Sequence, residues 1–204
     1  MNILNIINTK RFLITFLILL SISISIAYAS LIPRDFERFM SLSTLGSNML
    51  IDDYYPNPNA VVRLGDNVTW YLQVYNRMGN SEYIAIKIKI LNSTDPIPDD
   101  NAHTPSPIKE VYEISHIVKN NQTLTIPLRW SIDAIERVDD YIVIKRMRIN
   151  DQIINLDVRS INGDNFRFVI ELWRYNPDNN NFEFSWRSNI DTRSAWNQIW
   201  FNIR

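Results

Sequence analysis

Between Asn67 and Asn92 the chain reads NVTWYLQVYNRMGNSEYIAIKIKILN, with apolar and polar residues alternating on both sides of one interruption at Gly79. A period of two marks a strand with one face buried and the other wetted. In the first half Val68, Trp70, Leu72 and Val74 share a face, and Thr69, Tyr71, Gln73 and Tyr75 share the other. In the second half Ile84, Ile86, Ile88 and Ile90 oppose Lys87 and Lys89, and NRMGNS supplies a turn. The pair is expected to form a half-buried antiparallel hairpin. Such a face must be buried against another layer of secondary structure.

The same alternation continues downstream. After the loop Ser93–Pro107, strands are expected at Lys109–Val118 and Leu124–Ile132, then at YIVIKRMRI, FRFVIELWRYN, FEFSWRS and WNQIWFNI. Pro127 cannot donate to a ladder, so its strand should lie at an edge or carry a bulge. A parity shift at Lys145-Arg146 predicts a second bulge. Asn150-Asp151 and Asn162–Asn165 read as turns. About nine short strands with polar turns and little helical periodicity indicate an all-β, Ig-like antiparallel sandwich. The expected organisation is residues 1–29 as signal peptide or anchor, 30–59 as a connecting segment with a short helix near Asp35–Ser41, and 60–204 as the sandwich.

Residues 1–11 carry Lys10 and Arg11 and no acid, and the next eighteen, Phe12 to Ala29, carry no charge. A basic start, an apolar run and the small-x-small end Ala27-Tyr28-Ala29 describe a secretory signal, with cleavage between Ala29 and Ser30. The competing reading is an uncleaved anchor, because Leu31 and Ile32 lengthen the run to what a bilayer needs. Processing after Lys10-Arg11, as in pilin-like precursors, is disfavoured by the bulky Phe12. The basic residues ahead of the run orient the rest of the chain outward. Localisation is therefore expected to be extracytoplasmic, secreted or held by one N-terminal segment. Cleavage would remove two of the 21 basic residues and none of the 22 acids, leaving a net charge of −3 rather than −1. That balance argues against a nucleic-acid partner. With no cysteine for disulfides, stability must come from burial. Asn67, Asn92 and Asn121 each begin an N-x-S/T sequon, and all three are candidate glycosylation sites.

The alternation also distributes the aromatics. Phe166, Phe168, Ile170 and Leu172 take one parity of their strand, Trp173 and Tyr175 the other; Ile199, Phe201 and Ile203 likewise oppose Trp196 and Trp200. With Tyr71 and Tyr75, the outward set forms a candidate partner-binding aromatic face if the strands are neighbours. The alternative is that residues 31–59, rich in Phe and Leu, fold back over it.

Reactive groups are scarce. No nucleophile motif, phosphate loop or HExxH occurs, and no cofactor is expected. Two histidines without cysteine do not make a zinc site. His116 shares the parity of Tyr112 and Ile114 and reads as a core or edge residue. Asp52-Asp53, Asp95, Asp99-Asp100 and Asp139-Asp140 offer oxygen ligands on loops but lack calcium-loop spacing. Glu171 beside Trp173, with Glu183 across the next turn, is the one pair that would suit glycoside cleavage.

The string TLGSNMLIDDYYPNPNAVVRLGDNVTWYLQVYNRMGNSEYIAIKIKILNST, followed by NNQTLTIPLRWSI, NFRFVIELWRYNPDNNNFEFSWRS and RSAWNQIWFNI, resembles an archaeal family of outward-facing domains, domain of unknown function 1616. The resemblance covers most of the chain from about Thr44. It implies an archaeal cell-envelope protein with an Ig-like fold and brings no catalytic residues. Unlike family members with several membrane helices, this chain has one N-terminal apolar segment. The function expected is non-enzymatic: protein–protein contacts with envelope partners. A carbohydrate-binding module, or a subunit of a filament or surface layer, is the alternative.

Overall fold

The computed structural model describes residues 3–31, 37–188 and 191–204. It divides into two units, residues 1–36 and 37–204. The first is a single helix, α1 (Ile3–Leu31). Its stretch Lys10–Leu31, 22 residues, is long and apolar enough to cross a membrane. Its serines and threonine turn inward on the helix; Ser23 and Ser25, for example, donate to the carbonyls of Leu19 and Ser21 at 2.9 and 2.8 Å. That local bonding lets polar side chains sit in an apolar run. Ala29 and Ser30 fall within the continuous helix.

The second unit is a β-sandwich. One sheet has five strands in the order β1 (Phe39–Leu45), β3 (Val68–Arg77), β6 (Gln122–Val138), β7 (Tyr141–Ile149) and β8 (Gln152–Ile161). The facing sheet is built on β11 (Ser185–Arg187), β12 (Thr192–Ile203), β9 (Phe166–Asn176), β4 (Glu82–Leu91) and β5 (Tyr112–Val118). Two short strands complete it: β10 (Asn181–Glu183) pairs with the end of β9, and β2 (Val61–Val62) runs parallel to the end of β12. The pairings β3–β6, β4–β9 and β9–β12 are those of an Ig-like sandwich, with β7 and β8 extending the first sheet.

Three expectations need correction. The stretch Asn67–Asn92 is two strands but not a hairpin: β3 pairs with β1 and β6, while β4 pairs with β5 and β9. The turn at Gly79 (φ 91°) carries the chain across the core from sheet to sheet. Residues 30–59 are not merely a connector, because β1 forms an edge of the sandwich. No helix occupies residues 37–41, where the chain enters β1; Asp35 and Phe36 lie outside the described residues. His116, expected at a core or edge position, lies on the edge strand β5 and is exposed.

The predicted irregularities appear. The β6–β7 and β7–β8 ladders slip around Ala134 and between Ile144 and Arg146. Pro127 faces Tyr71 of β3 in a part of β6 that β7 does not reach, since the β6–β7 ladder starts at Trp130. Its missing N–H therefore breaks no ladder. Asn150 and Asp151 both have positive φ (44° and 68°), as the tight β7–β8 turn requires.

The apolar faces of both halves of Asn67–Asn92 line the core. Trp70 is fully buried with Trp130 and Phe168 packed against it, at ring-centroid distances of 4.8 Å to Phe168 and 5.2 Å to Trp130, and Phe201 packs on both of these in turn. Residues 46–59 close one end of this cluster. Tyr54 and Tyr55 lie edge-on to Trp70, the Trp70 indole N–H donates to the Tyr54 carbonyl at 2.7 Å, and the Tyr55 hydroxyl donates to the Trp200 carbonyl at 2.6 Å. Burial raises the Tyr55 phenol well above its ordinary pKa.

Candidate functional site

The six outward aromatics divide between two surfaces. Tyr71 and Tyr75 lie on β3, on the outside of the five-stranded sheet, where Tyr75 packs on Phe39 of β1 at 5.8 Å. Trp173, Tyr175, Trp196 and Trp200 lie on β9 and β12, on the outside of the other sheet. Parity along a strand gives the face but not the sheet, so a single aromatic face does not form.

On the larger sheet's outer face, the cover among the described residues is the loop between β4 and β5, not residues 37–59. Ser106 anchors it: its N–H donates to Glu171 Oε1 at 2.9 Å and its carbonyl accepts from Lys89 Nζ at 2.7 Å. Lys89 also bonds both Glu171 oxygens, at 2.9 and 2.8 Å, and the Trp173 indole N–H donates to Glu171 Oε2 at 2.9 Å. Both charged side chains are sealed, 3 % exposed for Lys89 and 0 % for Glu171. A buried pair persists only when its remaining hydrogen-bonding capacity is met, and Ser106 and Trp173 meet it. Further along the loop, the Trp196 indole donates to Asp100 at 2.6 Å and the Asp95 carbonyl accepts from Arg167 Nη2 at 2.5 Å.

This network accounts for the partners of Glu171. Its carboxylate is saturated by Lys89, Ser106 and Trp173, while Glu183 accepts from Asn176 and Asn179 at 3.0 and 2.6 Å. The two acids sit in separate networks, and the structure does not assemble the glycoside-cleaving pair. Among the described residues, no three of His, Asp and Glu gather in a metal-holding group. Asp99 serves its own turn, accepting from the N–H groups of Asn101 and Ala102; these bonds hold its pKa below the ordinary carboxylate value.

Trp173 is spoken for as well: Lys87 Nζ sits 4.2 Å from its ring centroid and Phe184 packs against it at 5.9 Å. Trp200 differs. It is 38 % exposed, with the Arg167 guanidinium stacked at 4.7 Å. Arg167 is itself buried, and desolvation lowers its pKa. At the opposite end of the same face lies a row of which the alternation singled out only Tyr175. Ile117, Tyr83, Tyr175 and Phe182 follow one another across β5, β4, β9 and β10, with Tyr83–Tyr175, Tyr83–Phe182 and Tyr175–Phe182 centroids 5.7, 5.1 and 5.4 Å apart. Ile117 is 62 % and Tyr83 42 % exposed.

A groove of about 760 Å³ runs between the β8 edge and the start of the β4–β5 loop, lined by Asn92, Asp95, Tyr141, Asp157, Arg159 and Asp164 among others. It bears on the sequons. Asn92 is half-buried there: its Oδ1 accepts from Thr94 and Asp95, and its Nδ2 donates to the Arg159 carbonyl at 3.2 Å. Asn67, before β3, and Asn121, in a left-handed turn (φ 60°) before β6, are exposed. They lie at opposite ends of the sandwich, whereas Asn67 and Asn92 share an end.

No protein-family model and no curated protein sequence matches the chain. What fold and surface define is a class: an Ig-like β-sandwich preceded by an apolar helix of membrane-crossing length.

Proposed function

We propose that the protein is a non-enzymatic component of an archaeal cell envelope, its sandwich held outside the membrane by α1 and making contacts with other envelope proteins. The resemblance to domain of unknown function 1616 supports the envelope setting, and the basic residues before an apolar helix support the outward orientation. The observation that carries the contact role is Trp200 with Arg167 stacked on it, at the end of the larger sheet's outer face. Tryptophan and arginine dominate the energetics of protein interfaces, and this pair is already ordered before any partner arrives.

Trp200→Ala is expected to abolish co-purification of envelope partners while leaving the unfolding midpoint near that of the parent protein. Retention of the same partners by the variant removes Trp200 from the interface.

A second reading, a carbohydrate-binding module, is favoured by the groove, whose amides, carboxylates, Arg159 and Tyr141 match sugar hydroxyls and a sugar ring. Calorimetry with envelope polysaccharides tests it, and Arg159→Ala should weaken any binding found. Absence of heat with every polysaccharide rules the reading out.

A further inference from the structure

We infer that the row Ile117–Tyr83–Tyr175–Phe182 rests on a lipid surface; this builds on the reading of α1 as an uncleaved anchor. The row lies where β3 ends and β4 begins, and where β5 ends and β6 begins. This is also the end at which the chain enters the sandwich, because Phe39, the first residue of β1, pairs with Arg77, the last of β3. Eight steps of chain separate Leu31 from Phe39 and span at most about 26–29 Å. A bilayer holding the preceding segment is therefore within reach of this end.

The chemistry of the row fits such a surface. Tyrosine places an apolar ring and a polar hydroxyl at one depth, which is why it collects at membrane interfaces. Ile117, the most exposed of the four, adds an aliphatic side chain, and Phe182 a ring without a hydroxyl. Charge selects the same end. Exposed Arg38, Arg77, Lys119 and Arg187 lie there against Glu37, Asp178 and Asp191. The far end gathers Asp52, Asp53, Asp66, Asp95, Asp139 and Asp140 against exposed Arg63, Arg137 and Arg204, which leaves it the more acidic of the two. Anionic headgroups attract the first set and repel the second.

The chain has no cysteine, so one introduced thiol carries one spin label. The full-length protein is reconstituted in vesicles of equal parts phosphatidylcholine and phosphatidylglycerol, labelled in separate variants at Ile117→Cys, Asp139→Cys and Leu20→Cys. Collisions with oxygen, which concentrates in lipid, and with a water-soluble nickel chelate are measured for each. The expected result is a several-fold higher oxygen-to-nickel ratio at position 117 than at 139, with 20 deep in the bilayer. Position 117 matching 139 while 20 is deep overturns the inference and leaves the anchor intact. An aqueous signal at 20 overturns the anchor reading and this one with it. Shielding of 117 from both reagents shows a protein neighbour, a second copy included, and also overturns it.

Discussion

Lys89 and Lys87 occupy the same face of β4, two residues apart, yet one is sealed under Ser106 and the other reaches Glu110 and Glu113 at 4.0 and 3.8 Å near the surface. Removing one member of the sealed pair strands the other charge in a dry site. Lys89→Met should cost about 3–5 kcal/mol, with Lys89→Met/Glu171→Leu recovering most of it. Urea unfolding of the three proteins measures both numbers; a single variant as stable as the parent would show that water reaches the pair. Asp99 offers a titration with a definite sign. Its folded-state pKa lies below the unfolded value of about 4, so its contribution is present above that value and is lost as pH falls through the lower, folded one. The turn Asp99–Thr104 should hold through mildly acidic pH and loosen only below about pH 4. Amide exchange at Asn101 and Ala102 reads that loosening, and Asp99→Asn should raise their exchange already at neutral pH.

At the scale of elements, the strands were largely legible because burial on one side imposes a period of two. Ile84, Ile86, Ile88 and Ile90 required a strand whatever lay around them. What the pattern does not encode is which sheet a strand joins. NRMGNS is equally good as a hairpin and as a crossing between sheets, so the outward parity of Tyr71 and of Trp173 was legible but their separation onto opposite surfaces was not. The β4–β5 loop was opaque for another reason. It holds the sheet mainly through the backbone groups of Ser106 and Asp95, which every residue type but proline possesses in full. The loop at residues 46–53 shows the same kind of hidden constraint. A Cβ on Gly46 would lie 1.6 Å from the Asp53 carbonyl oxygen, so Gly46→Ala must reopen the loop whose Tyr54 caps Trp70. A loss of about 1–3 kcal/mol is expected, read by thermal unfolding, together with increased Trp70 solvent quenching. At the β7–β8 turn, where Asp151 has φ 68°, Asp151→Val should cost about 1–2 kcal/mol, and Asp151→Gly should not destabilise.

For the whole molecule, the sharpest open alternative concerns α1, because the same apolar run serves as a cleaved signal or a retained anchor. Peptide mass spectrometry on membrane and medium fractions separates the two. A retained peptide through Phe12 in the membrane fraction is the expected outcome, and a mature chain beginning at Ser30 in the medium would make the protein a released one.

The placement of β12 carries a consequence for how the molecule is made. Of the strands in this sandwich β12 is made last, and it supplies the pairing edge for β9, the partner of β11 and the parallel mate of β2, which is made before any other strand of its sheet. Until Thr192–Ile203 emerges, the edge of β9 from Phe166 to Leu172 stays bare, and bare edges recruit other chains. A nascent polypeptide interrupted near its end is thus more hazardous than one interrupted early. A chain cut before β12 is accordingly the truncation of this sandwich most exposed to aggregation.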